Sequence, residues 1–248
     1  MRRTALISDI HGNLPAIEAV AADIKTRQVD QVVNLGDHLS GPLWPGETLA
    51  FLMQQNWTHV LGNHDRQLIR VDPAEHSPSD RHAFPFLGAA GRAWLEAQPG
   101  LIRLEQGWTA FHGTPQKDTT YLLETIAHGR MRLATPDEIR QRLGGMESGV
   151  LVCGHTHLQR VVQVAPDLII INPGSVGLPA YDDDVPEYHK AENGSPHARY
   201  AVVEEENGRL KVDFILVMYD HHSAAAQARR NGRSGWEHAL LTGTMPER

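Results

Sequence analysis

The chain has 248 residues, 41% of them hydrophobic, with 23 Lys plus Arg against 30 Asp plus Glu and a formal net charge of -7. That balance argues against bulk nucleic acid or an anionic membrane as partner, since both are held by excess positive charge, and no apolar run reaches the roughly 18 residues of a membrane span. Cys153 is the single cysteine, which excludes an intrachain disulfide and points to a reducing, cytoplasmic setting.

Thr4-Ala5-Leu6-Ile7 reads as a buried strand running into Ser8-Asp9-Ile10-His11-Gly12. The basic Met1-Arg2-Arg3 start suits a leader, but Ser8-Asp9 cuts its apolar stretch too short. Asn13 and Pro15 open a helix, and Leu14, Ile17, Val20 and Ile24 mark its apolar face. Residues 31–35 form the next strand, closed by Gly36-Asp37-His38. A Pro- and Gly-rich loop and a helix over residues 47–55 lead to Trp57-Thr58-His59-Val60, a short strand ending in Leu61-Gly62-Asn63-His64-Asp65. Alternating strands and helices imply a parallel sheet with right-handed crossovers.

Residues 66–100 are rich in Pro, His and charge, with a helix expected over 88–97. Residues 108–111 form a strand ending at His112-Gly113. Residues 118–143 read as helices, with Pro136 at a second start. Residues 149–153 are an apolar strand ending at Gly154-His155-Thr156-His157. Strands follow at 159–164 and 168–171, then the tight loop Asn172-Pro173-Gly174-Ser175. Residues 181–196 are acidic and turn-rich, which predicts a mobile loop. Residues 199–205 and 210–219 predict a hairpin on Asn207-Gly208. An Ala-rich helix is expected over 223–230, and a Gly-rich tail from Asn231 is expected to fray. The motifs run through the whole length, so 1–248 reads as one domain.

Five strand ends therefore present Asp9 and His11, Asp37, Asn63 with His64, His112, and His155 with His157. Ligands gather at the carboxyl edge of open α/β sheets. Carboxylates, imidazoles and one amide oxygen, without thiolate, suit Mn, Fe, Co, Ni or Zn. Seven candidate ligands exceed one tetrahedral ion and suit two divalent ions sharing a carboxylate. Asp65 follows His64 closely enough to orient its imidazole.

The series Asp9-Ile10-His11, Gly36-Asp37-His38, Gly62-Asn63-His64-Asp65, His112-Gly113 and Gly154-His155-Thr156-His157 resembles the calcineurin-like metallophosphoesterase superfamily over residues 4 to about 175. Ser8-Asp9-Ile10-His11-Gly12-Asn13 and Asn172-Pro173-Gly174-Ser175-Val176-Gly177 are similar to its small prokaryotic phosphodiesterase branch. The resemblance implies an α/β fold, a four-layer αββα sandwich with the site at one edge. It implies one metal on Asp9, His11, Asp37 and His157 and another on Asp37, Asn63, His112 and His155, with Asp37 bridging. His64 would be the catalytic imidazole that holds no metal, with Asp65 fixing its tautomer.

The pattern departs from the protein-phosphatase branch at Ser40 and Gly41, where that branch has Asp and Arg, and at Leu61, where it has Arg. Leu178-Pro179-Ala180-Tyr181 likewise lacks a phosphate-binding Arg. A small phosphodiester is the expected substrate. A phosphomonoester or a nucleoside polyphosphate (dinucleotide) is the alternative, and a catalytically silent scaffold is disfavoured by the intact ligand set. His38 is a candidate substrate contact or a support for Asp37. His76 and His82 are expected on the surface and Trp44 in packing. Asp182-Asp183-Asp184 is expected in a solvated loop and Cys153 in the core, while His221-His222 completes no ligand set. Oligomeric state is not encoded in any motif.

Overall fold

The structure is a computed structural model and describes residues 2–206 and 208–247. Two five-stranded sheets face each other. The first runs Arg209–Val217, Ala198–Glu206, Arg2–Ile7, Gln31–Asn34, Thr58–His59, and its last three strands are parallel. The second runs Leu101–Arg103, Thr109–Phe111, Gly149–Val152, Leu168–Pro173, Gln159–Ala165, with a parallel centre.

Strand alternation builds the layers. Leu6, Val33, Ala110, Val152 and Ile171 point between the sheets into one apolar core. Ala5, Ile7 and Val32 point the other way, onto Ile17, Val20 and Ile24 of the helix Leu14–Thr26. Asn13 caps that helix by accepting from Ala16 N, as its sequence predicts. On the far side Phe111, Leu151, Cys153 and Ile170 meet Ile139 and Leu143 of the helix Pro136–Leu143. This is the four-layer αββα sandwich. No helix is long and apolar enough to cross a membrane, among the described residues.

Several local expectations change. Residues 118–143 are not all helical. Glu124–Ala127 and Arg130–Leu133 form a hairpin turning at His128 and Gly129, both with positive φ, and helix begins only at Pro136, the second start expected from the sequence, where the hydroxyl of the preceding Thr135 and Glu138 form a capping box. The acidic loop also carries a hairpin, Ala180–Asp183 with His189–Glu192, because His189 and Ala191 are buried under it. Arg209–Val217 pairs with Ala198–Glu206 as expected, while Asn207 in the predicted turn lies outside the described residues.

The tail does not fray through its length. Ser234–Thr242 is a helix packed on His221–Arg230, with Ala239 and Leu240 fully buried. Its apolar residues are too few for a helical pattern to stand out beside the glycines. Three α-helices, Asn63–Arg70, Pro78–Ala83 and Gly88–Glu96, follow the third parallel strand, and Leu68, Ile69, Ala83, Leu87 and Leu95 pack this segment onto Leu39 and Leu49.

Candidate metal centre

The carboxyl ends of five parallel strands converge where the two sheets meet. Backbone bonds lace their loops together: Asp9 N donates to Gly36 O, His11 N to Asp37 O, Gly154 N to His112 O and Gly177 N to Asp9 O. Of the seven described non-glycine residues with positive φ, five are Asp9, His11, Asp37, His155 and His157. Each such residue costs on the order of 1–3 kcal/mol, and this kind of strain collects at functional sites. Glycine allows the close approach. A Cβ on Gly62 would lie 2.2 Å from Asp37 Oδ1.

The structure brings all seven predicted ligands together. Asp9, His11 and His157 form one group and Asp37, His112 and His155 another. Asn63 joins the second group, its Oδ1 lying 3.0 Å from His112 Nε2. Asp37 Oδ2 stands between the groups, 3.3 Å from His112 Nε2 and 4.0 Å from His11 Nε2.

The donor atoms are aimed. A carbonyl can only accept, so the Nδ1 of His11, His112 and His157 donates to Ser40 O, Leu35 O and Leu178 O at 2.7, 2.7 and 2.8 Å. In the neutral ring this leaves the Nε2 lone pair facing inward. Each aspartate is held by one oxygen. Asp37 Oδ1 accepts from His64 N at 2.9 Å, and Asp9 Oδ2 accepts from His155 N at 3.2 Å. Asp9 Oδ1 is buried with no hydrogen-bond partner, and His11 Nε2 lies 3.2 Å from His157 Nε2. Lone pairs and buried anions at such separations need a cation among them. The donor set therefore fits divalent metal.

Burial and the close approach of these groups pull their acidities apart. Burial works against a charged His112, but Asp37 and then Asp9 outweigh it and hold the imidazole up at about 10. Burial and repulsion from His157 push His11 down to about 4, and burial with the charge of His112 pushes His155 to about 3. Burial opposes the ionised Asp9, yet His157 and His112 bring it to about 2.

His64 is outside both groups, its ring 5.6 Å from that of His11 and edge-on to it. Its predicted partner is wrong. Asp65 does not contact the His64 ring; Asp80 Oδ1 lies 2.8 Å from His64 Nδ1. Asp65 instead accepts through Oδ2 from the N–H groups of Asp37 and Gly62 and from His38 Nδ1 at 2.7 Å, and through Oδ1 from His38 N. Asp65 sits at the third position of a helix that starts at Asn63, and there its side chain turns back to the Gly62 amide. Burial opposes a charged His64, but Asp37 and Asp80 prevail and raise it to about 9.

His38 does not meet substrate. It is fully buried, bonded to Asp65 and, through Nε2, to His59 Nδ1 at 3.1 Å. His76 is buried rather than on the surface, packed on Phe84. His82 is half-buried, Trp44 packs beside Leu43, and Cys153 is a buried thiol pushed up by burial. Asp182 and Asp183 line the functional cleft, so they are not merely a solvated run.

Asp80 belongs to no metal-ligand motif in the sequence; its only signal is the helix-start signature Ser77-Pro78-Ser79-Asp80. Ser77 Oγ donates to Asp80 Oδ2 and Ser40 Oγ to Asp80 Oδ1, both at 2.6 Å. Ser40 thus supports the partner of His64. Tyr121 and Tyr181 likewise belong to no such motif; their rings pack on His155 and His157, and their hydroxyls meet at 2.9 Å. A cleft of about 970 Å³ opens over the centre, lined among others by His64, Ser77, Tyr121, Tyr181, Arg233 and Trp236.

Residues 2–208 match the family model of the calcineurin-like phosphoesterase superfamily domain. An uncharacterized protein of Methanocaldococcus jannaschii is 24% identical, the match covering 94% of each chain. The crystal structure of a metallophosphoesterase from Sphaerobacter thermophilus superposes with a TM-score of 0.73 at 26% identity, covering 98% of this chain and 99% of that one. A hypothetical protein from Pyrococcus horikoshii shares the fold with a TM-score of 0.75 at 18% identity, over 99% of this chain and 100% of that one.

Proposed function

The chain belongs to the calcineurin-like phosphoesterase superfamily, and from that premise we propose that it hydrolyses small phosphodiesters with two divalent metal ions. The observation that carries the reading is the convergence of seven donor side chains around a buried Asp9 Oδ1 that accepts no hydrogen bond and lies 3.3 Å from His157 Nε2. Asp9, His11, Asp37 and His157 would hold one ion, and Asp37, Asn63, His112 and His155 the other. Such a pair lowers the pKa of water toward about 7 and draws off developing phosphoryl charge.

The protein supplies the rest. Asp80 engages His64 Nδ1, so Nε2 is the nitrogen left to give a proton to the leaving oxygen. Ser40 and Ser77 fix Asp80, and Asp65 pins the Asp37 and Gly62 loops together. Tyr121 and Tyr181 pack against the ligand rings and wall the cleft.

A diester is favoured over a monoester because it carries one less negative charge, and Ser40, Gly41 and Leu61 bring no cation to the site. The test compares kcat/KM for bis-p-nitrophenyl phosphate and p-nitrophenyl phosphate with Mn, Fe, Co, Ni, Zn and Mg in turn. Diester preference is expected, and monoester preference with every active metal would overturn it. A nucleoside-polyphosphate hydrolase is a second reading, favoured by a cleft of about 970 Å³, at the upper end of ligand pockets of about 300–1,000 Å³.

A further inference from the structure

We propose that Arg233 binds a second phosphoryl group of the substrate, so that the preferred phosphoester carries one phosphate beyond the scissile group. This deepens the proposed function and rests on it. Three basic side chains other than histidine line the cleft: Lys117, Arg142 and Arg233. Lys117 is exposed to solvent. Arg142 is consumed by the protein, donating to the carbonyls of Tyr121, Leu122 and Glu124 and to Thr125 Oγ1.

Arg233 is different. Its Nη2 donates to Ser79 Oγ at 3.2 Å, and its Nη1 is buried with no partner. Burial lowers its pKa and no carboxylate offsets that. Arg233 lines the cleft, and a turn of its guanidinium would bring the unspent Nη1 from its buried position onto a ligand, where the planar fork suits two oxygens of a charged phosphoryl group.

Its place is built into the fold. Arg233 Cζ lies 5.7 Å from the Trp236 ring, and Trp236 stands edge-on to His11 with ring centroids 6.0 Å apart. One aromatic ring thus separates Arg233 from a candidate metal ligand, so the group that reaches Arg233 would be a second phosphoryl of a substrate whose first phosphoryl sits at the candidate metal centre. Gly41 makes the room: a Cβ there would lie 2.9 Å from Trp236 Cη2 and 2.3 Å from His11 O. Arg233 and Trp236 both lie past position 208, where the family match ends.

The test is calorimetric binding of thymidine 5′-monophosphate and thymidine 3′,5′-bisphosphate to the full chain, with and without Mn. The bisphosphate should bind about tenfold to a hundredfold tighter, the range for a hydrogen bond to a charged group. Arg233→Gln should erase that advantage and leave the monophosphate unchanged, and Arg233→Lys should restore part of it. Equal affinities in the wild type, or equal weakening of both ligands by Arg233→Gln, would overturn the proposal. The p-nitrophenyl esters of the same two nucleotides extend the test to turnover, where the effect should fall on KM. Bisphosphate binding through Arg233 without turnover of any ester would sink the proposed function and leave this site standing. Turnover of bis-p-nitrophenyl phosphate without a bisphosphate advantage would do the reverse.

Discussion

Asp80→Asn isolates the contact that positions and charges His64. The substitution keeps the shape at 2.8 Å from Nδ1 but removes the negative charge. A hydrogen bond to a charged group contributes about 1.5–3 kcal/mol, and one pKa unit is about 1.4 kcal/mol. The His64 imidazole, held at about 9, should therefore fall by roughly one to two units. Below about pH 6 both proteins carry the imidazolium, so the difference should open only as pH rises past about 7. Imidazole NMR across pH 5–10 on metal-free protein reads the titration directly. If Asp80→Asn leaves the His64 titration in place while Asp65→Asn lowers it, the partner assignment is wrong.

His64→Ala should keep two metals per chain and slow a poor leaving group about 10²–10⁴-fold, with a smaller loss for p-nitrophenolate; metal loss, or equal slowing of both, would rule out the acid role. His59, driven from 6.5 to about 3 by burial and by His38, stays neutral folded while the unfolded chain takes up a proton below about 6.5. Its contribution is thus fully present above that pH and is lost on acidification at about 1.4 kcal/mol per unit; urea unfolding between pH 4.5 and 7.5 should show a flatter profile for His59→Gln, and parallel profiles would contradict it. Gly62→Ala drives a Cβ to 2.2 Å from Asp37 Oδ1, so it should cost metal retention severalfold by inductively coupled plasma analysis, whereas unchanged retention would show that the loops can part.

The convergence of the seven candidate ligands is legible because each follows a strand, and short apolar runs mark those strands in the sequence. The layer order followed from the family resemblance and from the parallel pattern of the first three strands. The partner of His64 was not legible. Asp65 is adjacent in sequence, but as the third residue of a helix it must turn back to Gly62, and Asp80 arrives from another helix. Arg233 and Trp236 were hidden for a related reason: they reach the cleft from a tail whose glycines suggest disorder, and only the packing of Ala239 and Leu240 shows that it folds. His38 carried a polar, motif-like address, yet its burial against Asp65 and Trp94 turns it into a brace.

The measurement that bears most directly on the account is the metal content of wild-type and Asp37→Asn protein after Mn loading and desalting. Asp37 Oδ2 stands between the two groups of candidate ligands, so the wild type should hold two ions per chain and the variant should lose metal from both groups. One ion in the wild type, or two retained in Asp37→Asn, would contradict the bridged pair.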